Sequence, residues 1–271
     1  MSLRFWTTLQ YLKQAVLVED GKIIKSLPAH PPKTIFRRAG VVCEFADKLA
    51  LAKHASFELW DRQGEECYRS FHHELILAPH DICQYGQNLL ICSSGLELFL
   101  VMDIDGEVKW LWWGHENGLG GRNEHYFKED WILRQTTSDT CEAPPEDQAH
   151  YNSIFLIGNG KFLTAALRKR KIIEIAVGFP GHKLVAEVED GGCHSPIYHN
   201  GVLIYGTEAG IKAGEKRVLE TYKWVKQIRT FEDGFAFTYE NGVVITDGAW
   251  KPKEEIPLPT PYGFAFLERM T

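Results

Sequence analysis

The sequence predicts an all-β fold, a single β-propeller of six four-stranded blades. Three observations lead there. Most of the chain alternates short runs of apolar, β-branched and aromatic residues with Asn-Gly, Asp-Gly and Pro-Gly pairs, the punctuation of hairpins. These turns recur in tandem pairs at roughly 40-residue intervals, the period of a propeller blade. Both ends of the chain carry an incomplete unit, and the two fragments complement each other.

In chain order, residues 3–27 read as a strand, then Ala15-Val16-Leu17-Val18, the turn Glu19-Asp20-Gly21 and Lys22-Ile23-Ile24-Lys25, the pattern of a second hairpin. Gly40, His80, His150, His194, Asp233 and Tyr262 mark the starts of successive first strands. First hairpins turn at Asn159-Gly160, Asn200-Gly201 and Asn241-Gly242, where glycine supplies the positive φ of a tight turn. Second hairpins turn at Asp61-Arg62-Gln63-Gly64, Asp103-Ile104-Asp105-Gly106 and Phe179-Pro180-Gly181. Residues 114–148 interrupt the repeat as an insertion. Without it, the single domain 1–271 divides into units of roughly 39 residues. After Tyr262 only one strand remains, Gly263-Phe264-Ala265-Phe266-Leu267, so the N-terminal strands are expected to complete its blade. Pairing of the two ends closes the ring and removes open edges. Five blades are the main alternative, because residues 233–260 are short for a full unit, and a pair of β-sandwiches is the other all-β arrangement.

Composition bounds the function. The 271 residues are 44% hydrophobic and carry a formal net charge of −6, with no broad basic face for nucleic acid. The longest apolar runs, such as 98–102 and 172–177, are far below the roughly 20 residues of a membrane helix, and the N-terminus lacks the layout of a secretory signal. The six cysteines, at 43, 67, 83, 92, 141 and 193, form no zinc-type pair, and a cytoplasmic location follows as the simplest expectation. Cys83 and Cys92 flank one turn symmetrically and are expected as thiols.

Three blades open with a histidine: Pro79-His80-Asp81, Ala149-His150-Tyr151 and Cys193-His194-Ser195. First strands line a propeller's channel, so the three imidazoles are expected to converge there as the ligands of a divalent metal ion with open positions for water or substrate. The register is imperfect. Under a strict alignment of the turns, Ser153 holds the position equivalent to His80 and His194, with His150 on the incoming loop; an extra-long hairpin would restore His150 to it. Asp81 is expected as a catalytic carboxylate, orienting an imidazole or accepting a proton. The insertion, rich in glycine and polar groups, supplies His115 and Arg122 as catalytic candidates beside Glu116 and His125. Cys193 alternates away from His194 along its strand, and Trp110 and Trp112 share a face suited to packing between blades. The expected partner is a small molecule or carbohydrate; hydrolysis, elimination and oxidation all remain open. A non-catalytic propeller binding a ligand or protein is the rival reading.

The set His80-Asp81, Glu146-Asp147-Gln148-Ala149-His150-Tyr151-Asn152 and His194-Ser195-Pro196, followed by Asn200-Gly201-Val202-Leu203, resembles the HD, HxN and HSP blade-start motifs of a largely uncharacterised bacterial propeller family. More distantly it is similar to the arylsulfate sulfotransferases. The resemblance spans roughly residues 75–210 and implies a propeller with a histidine-lined channel. The sulfotransferase likeness implies a histidine nucleophile that takes a sulfuryl group while basic residues hold its oxygens. Those enzymes are usually exported, and no blade start here carries an arginine.

Overall fold

The computed structural model describes residues 2–9, 14–27, 40–53, 55–119, 149–189 and 191–270. In chain order, β1 (Ser2–Leu9), β2 (Gln14–Glu19) and β3 (Lys22–Ser26) belong to blade I, and β4 (Val41–Phe45), β5 (Lys48–Lys53), β6 (Ser56–Asp61) and β7 (Cys67–His72) form blade II. Blade III is β8 (Pro79–Tyr85), β9 (Asn88–Ser93), β10 (Leu98–Met102) and β11 (Val108–Trp113); blade IV is β12 (Phe155–Gly158), β13 (Lys161–Ala166), β14 (Lys171–Ala176) and β15 (Lys183–Glu187). Blade V holds β16 (Cys193–His199), β17 (Val202–Thr207), β18 (Gly210–Ala213) and β19 (Lys216–Leu219), and blade VI β20 (Gln227–Phe231), β21 (Gly234–Tyr239), β22 (Gly242–Asp247) and β23 (Pro252–Pro257). The last strand, β24 (Pro261–Met270), returns to blade I in the order β24-β1-β2-β3. The protein is therefore a six-bladed propeller closed by its own terminal strands. Among the described residues the helical elements are two short 3-10 turns, Ser94–Leu96 and His115–Asn117, and no helix is long and apolar enough to cross a membrane.

The hairpins follow from their turn residues. Asn200 and Gly201 have φ of 51° and 77°, the paired left-handed conformation of a two-residue turn between strands. In the second hairpins an aspartate holds the loop. Asp61 accepts the N–H groups of Glu65 and Glu66, Asp103 those of Asp105 and Glu107, and Asp247 those of Ala249 and Lys251.

The core lies between the blades. Phe57 and Leu59 pack on Ile82 and Leu89 across II and III, Phe99 and Trp112 on Phe162 and Ile173 across III and IV, and Ile197 and Ile204 on Phe235 and Phe237 across V and VI. Leu3 and Phe5 meet Val243 and Ile245 across VI and I, while Trp6 and Leu17 meet Leu49 and Trp60 across I and II. Each blade face thus buries its apolar residues against the next, and no blade has a core of its own. The indole of Trp112 donates to the Gly181 carbonyl at 3.0 Å, joining blade III to IV as its sequence position led one to expect. At the seam, Trp6 pairs with Ala265 and Thr8 with Tyr262, and the Thr8 hydroxyl donates to the Tyr262 carbonyl at 2.7 Å.

One marker is corrected. Asp233 does not open a blade; it sits between β20 and β21, with its carboxylate 3.1 Å from the Lys253 amine. The apolar strand Gly234–Tyr239 is the second of its blade, and the true first strand is Gln227–Phe231. That strand faces the channel with Arg229, so its polar alternation hid it. Blade VI is consequently full length, which removes the argument for five. Cys83 and Cys92 are free thiols; Cys83 pairs with Leu90 and Cys92 with Asp81, so they are not opposite one another.

Candidate functional site: a basic cluster at the channel mouth

All six innermost strands run the same way, so their first residues ring one mouth of the channel. The hydrogen-bond register aligns Pro79 with Ser93, Tyr151 with Ala166, Cys193 with Thr207 and Pro261 with Leu9, each partner closing its own strand. One residue further on stand His80, Asn152, His194 and Tyr262. In blade VI, Gln227 pairs with Thr238 and the Lys226 N–H donates to the same residue's carbonyl, which puts Lys226 at that mouth.

A backbone kink delivers four of these residues. Ala78, His150, Trp224 and Thr260 have φ of 43°, 54°, 54° and 46°, and each lies two positions before His80, Asn152, Lys226 or Tyr262. Left-handed backbone is costly for residues other than glycine and persists where the surroundings fix it. This repeated kink settles the register of blade IV: His150 occupies the kink, and Asn152, not Ser153, is equivalent to His80.

The kink nevertheless brings His150 to His80, their ring centroids 4.7 Å apart and nearly perpendicular. Tyr262 lies edge-on to His80 at 6.0 Å, and the Lys226 amine stands 6.0 Å from the centre of the Tyr262 ring. A bond of 2.8 Å between His80 Nδ1 and the Ala78 carbonyl places the proton of a neutral His80 on Nδ1 and its lone pair on Nε2. His194 is 7% exposed, and both its ring nitrogens are buried with no hydrogen-bond partner among the described residues. Burial, then the charges of His80 and Lys226, pushes its pKa down to about 3. Burial also draws the Lys226 amine down to about 8.

The mouth has a floor. Gln227 of blade VI donates to Asp81 of blade III at 3.4 Å, and the Tyr262 hydroxyl of blade I donates to the Asn152 carbonyl of blade IV at 3.0 Å. Both bonds join blades that stand opposite in the ring, so they cross its axis. The Asp81 carboxylate also accepts the N–H groups of Ile154 at 2.7 Å and Ile82 at 2.9 Å. Its pKa nevertheless rises to about 6, because burial outweighs those bonds. Asp81 therefore braces the floor, and the expected bond to an imidazole is not among its contacts.

Behind His150 lies a residue the sequence did not reveal. Glu97, 3% exposed, accepts the N–H groups of Ala149 at 2.7 Å and His150 at 2.9 Å on its carboxylate, while its backbone carbonyl accepts that of Gly114 at 2.8 Å. One residue thus holds both ends of the insertion and the His150 kink. Burial lifts the Glu97 carboxyl to about 7, against the lowering effect of those bonds and of Arg168 and Lys169.

The insertion's other candidates are not joined to this cluster by any contact among the described residues. His115 follows the outermost strand of blade III and packs on Trp113 at 5.4 Å. Glu116 is exposed beside it, and Arg122 and His125 lie outside the described residues. The Cys193 thiol is buried and pushed up to about 12, consistent with its alternation away from the channel. His80, His150 and His194 do share one mouth. Among the described residues, however, no group of three or more His, Cys, Asp or Glu has the spacing to hold a metal ion. His80 and His150 meet edge to face, and Lys226 acts on His194 as a positive charge. The arrangement is not a ready-made metal shell.

No family model matches the chain, and no curated protein matches its sequence. Solved propellers do match. A protein of unknown function from Bacteroides caccae superposes with a TM-score of 0.69 at 11% identity, covering 99% of this chain and 100% of that one. A chain of a nidogen/laminin complex gives 0.67 at 12% identity over 98% of each chain. Streptogramin B lyase gives 0.62 at 10% identity over 98% of this chain and 84% of that one. At such identities the likeness is one of fold.

Proposed function

We propose that the channel mouth is the active site of an enzyme that acts on a small molecule by acid–base chemistry, with His194 as the group that takes and returns the proton. The observation that carries this reading is the pair of bare nitrogens on His194. Buried polar atoms are almost always paired, and an imidazole left unpaired among the described residues, beside His80, Lys226 and the Trp224 ring, is a functional arrangement that stability alone does not favour. His80, oriented by its Nδ1 contact with the Ala78 carbonyl, brings a second imidazole to the same mouth, and the floor beneath means that substrate enters and leaves by this mouth. A propeller lyase shares the architecture, which is compatible with catalysis in this ring.

A divalent metal held by His80, His150 and His194 is the second reading, favoured by the same bare nitrogens. It requires the three rings to turn toward a common point. Sulfuryl transfer would use His194 as nucleophile. Elemental analysis after metal reconstitution, with His80→Ala, His150→Ala and His194→Ala alongside, separates these. Stoichiometric metal lost in all three variants establishes the metal enzyme and retires the metal-free one. Turnover of a small-molecule library by metal-free protein, abolished in His194→Ala, supports the acid–base reading. Ligand binding without turnover in any assay favours a non-catalytic propeller.

A further inference from the structure

We propose that the substrate carries an oxyanion group, a carboxylate, phosphate or sulfate, and that this group binds between Lys226, His80 and His194. The inference rests on the reading of the mouth as a small-molecule site and names the chemistry of what enters it. The charges that act on His194 are both positive, His80 from blade III and Lys226 from blade VI. The carboxylates nearby are engaged elsewhere. Asp81 takes Ile82, Ile154 and Gln227 at the floor, and Glu97 takes the N–H groups of Ala149 and His150. Glu240, which acts on Lys226, is exposed beyond the end of β21. The mouth thus gathers nitrogen groups, among them the one N–H of a neutral His194 ring, which has no acceptor among the described residues. A cluster of nitrogen groups at a channel mouth is complementary to an anion, and charge-assisted bonds to an oxyanion are the strongest such donors can make.

A bound oxyanion offers the buried His194 ring the hydrogen-bond acceptor it lacks among the described residues, and sets its negative charge beside the Lys226 amine.

Titration calorimetry with acetate, inorganic phosphate and sulfate tests this without any need for turnover. At least one anion is expected to bind, and which of the three binds best identifies the group. Lys226→Gln is expected to weaken that binding about tenfold to a hundredfold, the loss of one charge-assisted bond, with Lys226→Arg recovering part of it. His194→Asn is expected to weaken that binding likewise. Thermal melting of each variant confirms that it is folded. Failure of all three anions to bind, or binding unchanged by both Lys226→Gln and His194→Asn, overturns the oxyanion site. An anion that binds as described but belongs to no substrate retires the enzyme and leaves the site standing; turnover of an uncharged compound without anion binding does the reverse.

Discussion

Replacing Glu97 by glutamine tests the clamp behind His150. The carboxyl is 3% exposed, and burial raises its pKa from 4.5 to about 7 despite two backbone donors. A raised acid pKa means that the folded chain holds this proton more tightly than the unfolded one, so stability falls as pH climbs from 4.5 to about 7 and then levels. The shift corresponds to a loss of about 3 kcal/mol at 1.36 kcal/mol per unit. The Glu97→Gln side chain is neutral throughout and carries no such loss. Urea unfolding of both proteins, followed by tryptophan fluorescence at a series of pH values between about 4 and 8, isolates the effect, since every other titrating group is common to the two. The difference in stability is expected to move by about 3 kcal/mol in favour of the variant across that range. A difference that stays flat within about 0.5 kcal/mol would refute the reasoning, because Glu97 would then titrate as it does in the unfolded chain.

Asp81→Ala is expected to cost at least about 2 kcal/mol in urea unfolding, because it strips the acceptor from the Ile82 and Ile154 amides and from Gln227 in a buried place; a neutral substitution would remove Asp81 as a floor brace. Tyr262→Phe deletes the bond to the Asn152 carbonyl and is expected to cost about 1 kcal/mol, with the propeller retained by circular dichroism. Deleting residues 261–271 removes β24 and exposes the inner edge of β1, so size-exclusion chromatography is expected to show aggregate; a monomer with unchanged melting temperature would count against closure at this seam.

The ring is readable from sequence wherever turn chemistry is local. Asn159-Gly160 and Asn200-Gly201 announce their hairpins because the left-handed pair of dihedrals admits few other residues. Blade VI is misphased in sequence because Gln227–Phe231 lines the channel, so the hydrophobic alternation that marks outer strands is missing there. Lys226 is hidden for the same reason. The kink two residues before His80, Asn152, Lys226 and Tyr262 does leave a trace, the proline after it in Ala78-Pro79-His80 and Thr260-Pro261-Tyr262, but blades IV and VI carry Tyr151 and Val225 there instead. Glu97 leaves none. Its role depends on two ends of an insertion meeting at one buried carboxylate, and nothing in the residues around it marks that meeting.

The seam between β24 and β1 also decides when the site comes into being. Thr8 and Tyr262 are 254 positions apart, so joining them carries nearly the largest loop-closure entropy this chain can incur and gives the fold a high contact order. Tyr262 is at once a residue of that seam, the spoke to Asn152 and a wall of the histidine and lysine cluster. An open ring of five finished blades therefore lacks one wall of the mouth and one brace of its floor. A ligand that touches Tyr262 together with His194 binds only the closed topology, and by mass action its presence draws folding to completion. Occupancy of the mouth would report that the circle has been joined.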